Sequence, residues 1–70
     1  MATVKIIELL GVSTKSWHDA VKEALKESAK TLQGINGIDV VSTTATVKGN
    51  KITQYRANVK IAFVVEKGKK

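Results

Sequence analysis

Few residues in this 70-residue chain are of types that do chemistry, and their spacing decides how much they can do. His18 is the one histidine, and it stands between Trp17 and Asp19 in what reads as the first turn of a helix. Neighbours one apart on a helix point to different faces, so neither orients the imidazole, and His18 reads as a solvated surface group. The chain has no cysteine, which excludes thiol nucleophiles, disulfides and thiolate metal sites. Its serines have no histidine set beside them by a local motif. The carboxylates Glu8, Asp19, Glu23, Glu27, Asp39 and Glu66 are scattered, and none falls into the spacing of a calcium loop. Gly34 and Gly37 make no phosphate loop, because no strand feeds a helix at that point. These residues describe a protein that is not an enzyme.

Binding residues remain. A tryptophan in the first helical turn, as Trp17 is, closes the end of a core or an interface between subunits, with ligand stacking as the alternative. Gln54, Arg56, Asn58 and Lys60 alternate along one limb of a hairpin and form either a solvated sheet face or the lining of a cavity between subunits. The candidate ligand-binding residues are therefore Thr44, Gln54 and Arg56, on the hairpin face expected to meet other subunits. Trp17, Tyr55 and Phe63 are the candidate structural or interface residues.

The elements that must position them follow from periodicity. Thr3 to Leu10 is apolar and β-branched enough for a strand, with Val4, Ile6 and Leu10 on one face, Ile7 and Leu9 on the other, and Gly11 as its end. A polar turn leads to Ser16, which can cap a helix by accepting from the amide three residues on, while Asp19 favours its positive end. Trp17, Ala20, Val21, Ala24, Leu25, Ser28 and Leu32 recur at three- and four-residue intervals along one side. Glu23 with Lys26 and Glu27 with Lys30 can pair on the other, and Gly34 is the expected stop. Ile38 to Val47 reads as a second strand with a bulge near Val40 to Ser42, where its apolar positions change face. Lys48-Gly-Asn-Lys51 is a tight turn. From Tyr55 to Val65, alternate positions are apolar, giving a long third strand that ends near Glu66.

The predicted order is β-α-β-β in an α+β fold. A right-handed helical crossover leaves the first two strands parallel, so the third, antiparallel to the second, inserts between them and the helix covers one sheet face.

Seventy residues make a single domain, 1–70, whose core is marginal without partner subunits. The net charge of +6 permits acidic partners. Three of the twelve basic residues, Lys67, Lys69 and Lys70, read as a disordered solvated tail, and the lysines as a whole are spread over helix, turn and tail rather than gathered on one face, which argues against nucleic acid. Lys5 and Glu8 interrupt the first apolar run, so it is expected to be neither a signal peptide nor a membrane span, and the location expected is cytoplasmic.

The whole arrangement resembles the dodecin family. Val4-Lys-Ile-Ile-Glu-Leu-Leu-Gly11, Ser13-Thr-Lys-Ser-Trp-His-Asp-Ala20 and the limb from Ile52 to Glu66 carry the likeness, in that order and at this length. The resemblance implies a hollow homododecamer of cubic-type symmetry, with a three-stranded sheet wrapped partly round one helix. It implies flavins bound in pairs at subunit interfaces in many members, and coenzyme A in some. In flavin-binding members a tryptophan near the start of the second strand stacks on the isoalloxazine and a glutamine in the third strand bonds its polar edge. Gly37 and Arg56 fill those positions here. Losing the aromatic plane removes roughly 1–3 kcal/mol of stacking, on the scale of bases on aromatic side chains, and arginine lacks an amide's paired donor and acceptor. Ser16-Trp17 at the helix start resembles a flavin-poor branch, the calcium dodecins, so calcium enters as an implied cofactor without assigned ligands.

The chain thus reads as a homododecameric protein that binds or stores a small ligand or ion. Storage of FMN or riboflavin, a basic nucleic-acid-binding module, and a shell that is itself the function are the alternatives.

Overall fold

The long hairpin predicted at the C-terminal end sets the shape. The structure is a computed structural model and describes residues 3–65. Strand β1 spans Thr3–Ser13, helix α1 Trp17–Ala29, β2 Ile35–Lys48 and β3 Lys51–Val65. The sheet order is β1-β3-β2, with β3 antiparallel to both neighbours, as the crossover argument requires. The expected tail at 67–70, and Glu66 at the end of the third strand, lie outside the described residues. Among the described residues, no helix is long and apolar enough to cross a membrane.

Local chemistry accounts for most boundaries. Gly49 and Asn50 both take positive φ, 57° and 64°, as a two-residue hairpin turn matched to the twist of its strands demands. The side chain of Ser16 accepts from the Asp19 amide at 3.0 Å and caps the helix as expected. The helix stops at Ala29, earlier than Gly34, because Lys30 and Thr31 tighten into a turn whose amides bond back to the carbonyls of Glu27 and Ser28. Gly34 does take the left-handed conformation, φ 76°, but it redirects the chain into β2 rather than capping the helix. Of the two expected ion pairs, Glu27–Lys30 is present at 3.3 Å, largely solvated, and Glu23–Lys26 is not.

Two strand limits need correcting. β1 does not end at Gly11 but runs through it to Ser13. A Cβ at Gly11 would collide with the Ala20 carbonyl oxygen and sit 3.1 Å from the Ala24 Cβ, so this glycine is the point where the helix crosses the strand. β2 begins at Ile35, with Asn36 passed over in the pairing, so Gly37 belongs to the strand and not to its approach. The bulge expected between Val40 and Ser42 is present.

The helix lies over β1 and β3 and barely touches β2. Its buried residues, Ala20 and Ala24, are small, which lets it settle onto Ala57, Val59 and Ile61 of β3. Ile7, Leu9, Val21 and Ile35 close the rim of this core. The molecule measures 56 × 19 × 12 Å. Thirteen helical residues extend only about 20 Å, so much of the sheet has no cover from its own chain.

Candidate functional site

The sheet face opposite the helix is uncovered, as is the helix side of β2 at Ile38 and Val40, and the register places the residues of the outer face in rows. Odd-numbered residues of β3 face the helix, and the even-numbered ones face out. Across the three strands, the outer rows run Ile6–Ala62–Gly37, Glu8–Lys60–Asp39, Leu10–Asn58–Ser42 and Val12–Arg56–Thr44, with Gln54 beside Thr46 beyond them. Along β1 this face is aliphatic, and Val4, Ile6, Leu10 and Val12 are 50%, 62%, 49% and 41% exposed. Aliphatic exposure of this extent along one strand of so small a chain is the character of surfaces at which proteins meet partners.

Two parts of the face differ in character. At one end a shallow cavity of about 260 Å³ opens among Ile6, Gly37, Ile38, Asp39, Lys60 and Ala62. Its apolar floor exists because Gly37 carries no side chain. A Cβ there would meet only the Ala62 Cβ, at an ordinary 3.7 Å. At the other end the half-buried Arg56 lies between Val12 and Thr44, with Gln54 and Asn58 on either side along its own strand. Lys60 separates the two parts, flanked across the strands by Glu8 and Asp39.

The three ligand-binding candidates, Thr44, Gln54 and Arg56, are brought together on this face. Thr44 and Arg56 are directly opposed, and Gln54 is two residues along. Gly37 and Arg56 share the face but not a neighbourhood. Gly37 pairs with Ala62, six residues from Arg56 along β3 and so about 20 Å away at the strand rise. A small ligand that touches both positions must draw them from two chains.

Trp17 works on the other side of the sheet. Its indole N–H donates to the Thr44 carbonyl oxygen at 2.7 Å, and its ring meets Tyr55 edge-on, with centroids 4.9 Å apart at 80°. The helix start is thereby fastened to the hairpin directly behind Thr44. Trp17 is still 40% exposed, so part of its ring is free for a further contact. Phe63 also faces the helix layer, half-buried between Lys5 and Ile35, eight residues from Tyr55 and apart from the Trp17 pair. His18 is exposed.

Ser13 has a role that the sequence reading missed. Buried at the end of β1, its hydroxyl donates to the Asp19 carboxylate at 2.7 Å and accepts from the Lys15 amide at 2.9 Å. The loop into the helix is thus closed by Ser13, Ser16 and Asp19, a three-residue spacing that was a visible signal. Ile6, Asp39 and Ala62, which join Lys60 around the Gly37 cavity, were also missed, because they converge only through strand pairing.

Among the described residues, a calcium cage of side-chain carboxylates within one chain does not fit. Among the described residues, no three His, Asp or Glu side chains gather, whereas Ca²⁺ takes six to eight oxygens. Glu8 and Asp39, the carboxylates of the outer rows, have a lysine between them.

Comparison with known proteins places this geometry. The dodecin family model matches residues 3–66. Among solved structures, dodecin from Streptomyces coelicolor superposes with a TM-score of 0.92 at 19% identity, covering 96% of each chain. A point variant of the Thermus thermophilus dodecin gives 0.92 at 24% identity, covering 96% of this chain and 100% of that one. A calcium-chelating antigen from Mycobacterium tuberculosis, described as a calcium dodecin with a novel calcium-binding site, gives 0.81 at 25% identity over 97% of both chains. No curated protein sequence matches significantly.

Proposed function

The chain belongs to the dodecin family, and from that premise we propose that it is a non-catalytic protein that assembles into a homododecameric shell and holds a small ligand between subunits. The observation that carries this reading is the outer sheet face, aliphatic along β1 and polar along β3, which its own chain leaves bare. Covering it with other copies answers both needs of the chain. It adds buried apolar area to a core of five buried hydrophobic residues, and it converts a shallow surface at Gly37 and a row around Arg56 into enclosed space.

Flavin, the ligand of many family members, binds weakly in this reading. Gly37 supports no ring, and Arg56 presents donors only. Calcium, which the Mycobacterium tuberculosis protein is described as chelating, would need oxygen donors from more than one chain here. Lys22 and Lys26 lie on the solvated side of α1, Lys30 just past its end, and Lys48 and Lys51 at the hairpin tip, so no single basic face among the described residues favours the nucleic-acid alternative.

Light scattering on the purified protein tests the assembly. The expected particle is about 91 kDa, twelve times the 7.6 kDa of one chain. A monomer in dilute buffer removes the proposal. Purification without added cofactor tests the ligand reading, since a yellow protein with quenched flavin fluorescence contradicts weak flavin binding.

A further inference from the structure

We infer that the row around Arg56 is a binding site for an oxyanion, the phosphate or carboxylate of a small organic ligand. Arg56 sits on the central strand, half-buried, with its Cα partners Val12 on one side and Thr44 on the other. Ser42 and Thr46 flank Thr44 on the same face, diagonal to Arg56, and Gln54 and Asn58 flank Arg56 itself. Arg56 is therefore surrounded, at neighbouring positions of the same face, by residues that carry hydroxyl and amide groups, each of which can donate to an anion.

Among the described residues, Arg56 has no acid in its row. The outer-face carboxylates Glu8 and Asp39 both stand opposite Lys60, four residues along β3, which is about 13 Å from Arg56 at the strand rise. Among the described residues the one ion pair is Glu27–Lys30, on the helix. A half-buried arginine with a fork of fixed donors, polar neighbours and, among the described residues, no carboxylate in its own row is complementary to a planar carboxylate or a phosphate. Val12 and Leu10, aliphatic and half-exposed on the β1 side, provide an apolar wall for the organic part of the same ligand.

The inference rests on the outer face being the ligand face, and the experiment separates the two. The assembled protein is titrated calorimetrically at low salt with phenyl phosphate, and with phenol as the phosphate-free control. Phenyl phosphate is expected to bind tighter than phenol by about tenfold or more, the ratio typical of hydrogen bonds to a charged group, and to weaken as salt is added. Arg56→Gln is expected to erase that preference. If this variant does not assemble, Arg56→Met, which keeps an unbranched apolar stem, takes its place. Equal binding of phenyl phosphate and phenol by the wild type, or undiminished phenyl phosphate binding by the variant, overturns the site. Light scattering on the same samples reports the assembly independently, so a monomer refutes the shell, whereas an assembled protein indifferent to phosphate refutes the anion site alone.

Discussion

Placing a tryptophan at Gly37 should create the flavin platform that this chain lacks. The backbone permits it, since Gly34 and Gly49 are the glycines with positive φ and Gly37 is not among them. Space permits it too, because a Cβ at this position would have the Ala62 Cβ at 3.7 Å as its nearest neighbour and a cavity of about 260 Å³ above it. Replacing a strand glycine by an aromatic residue also improves strand propensity, on a scale that spans about 1 kcal/mol, so the thermal midpoint of Gly37→Trp should hold or rise. Stacking of roughly 1–3 kcal/mol per ring converts, at about 1.4 kcal/mol per decade, into riboflavin affinity about 5- to 140-fold above that of the wild type. Riboflavin is the suitable probe because it carries no phosphate, so attraction between Arg56 and a phosphate does not enter, and Arg56 itself is the same in both proteins. Quenching of its fluorescence on titration gives the dissociation constants, and light scattering confirms that both proteins are assembled. An assembled Gly37→Trp protein with unchanged riboflavin affinity would refute the argument that the missing ring is what weakens flavin binding.

Four further substitutions probe the fold and the assembly. Gly11→Ala drives a methyl into the Ala20 carbonyl and should destabilise by about 1–3 kcal/mol, the usual cost of overpacking, seen as a lower thermal midpoint at fixed protein concentration. Trp17→Phe keeps a ring against Tyr55 but loses the 2.7 Å bond to the Thr44 carbonyl; denaturant unfolding should show a loss of about 0.5–1.5 kcal/mol, and no loss would mean that water replaces the indole. Ile61→Val removes one methylene from a fully buried side chain and should cost about 0.5–1.5 kcal/mol by the same assay. Ile6→Lys puts a charge on the most exposed aliphatic of the outer face and should reduce the particle below twelve chains in light scattering, whereas an intact dodecamer would show that this position is not at an interface.

Much of the fold is legible in the sequence because it is encoded locally. The alternation from Tyr55 to Val65 fixes which face of β3 meets the helix, and Ala57, Val59 and Ile61 are indeed fully buried. Ser16 announces the helix start and Gly49-Asn50 the hairpin turn, since a capping oxygen and tolerance of positive φ act within four residues. Gly11 misleads for the same reason. A glycine after an apolar run signals a stop when only its neighbours are considered, and its actual purpose lies in a contact with Ala20 across the sheet–helix interface.

The sequence by itself determined the element order, the inserted third strand and the inward face of the hairpin, because periodicity, turn chemistry and crossover handedness need no knowledge of distant contacts. Only the tertiary structure decided where the outward residues meet. Of the three pairing irregularities in the hairpin, those at Thr46/Val47 and Val40/Ser42 offset one another: Thr44 meets Arg56 in the shifted register between them, and beyond both Gly37 arrives opposite Ala62. A single unpaired residue moves side chains to the other face, and whether two such shifts cancel depends on both strands at once. The same holds for Trp17, whose bond to Thr44 spans 27 residues of sequence, and for the separation of Gly37 from Arg56, which comes from the register that sets one six residues of β3 away from the other.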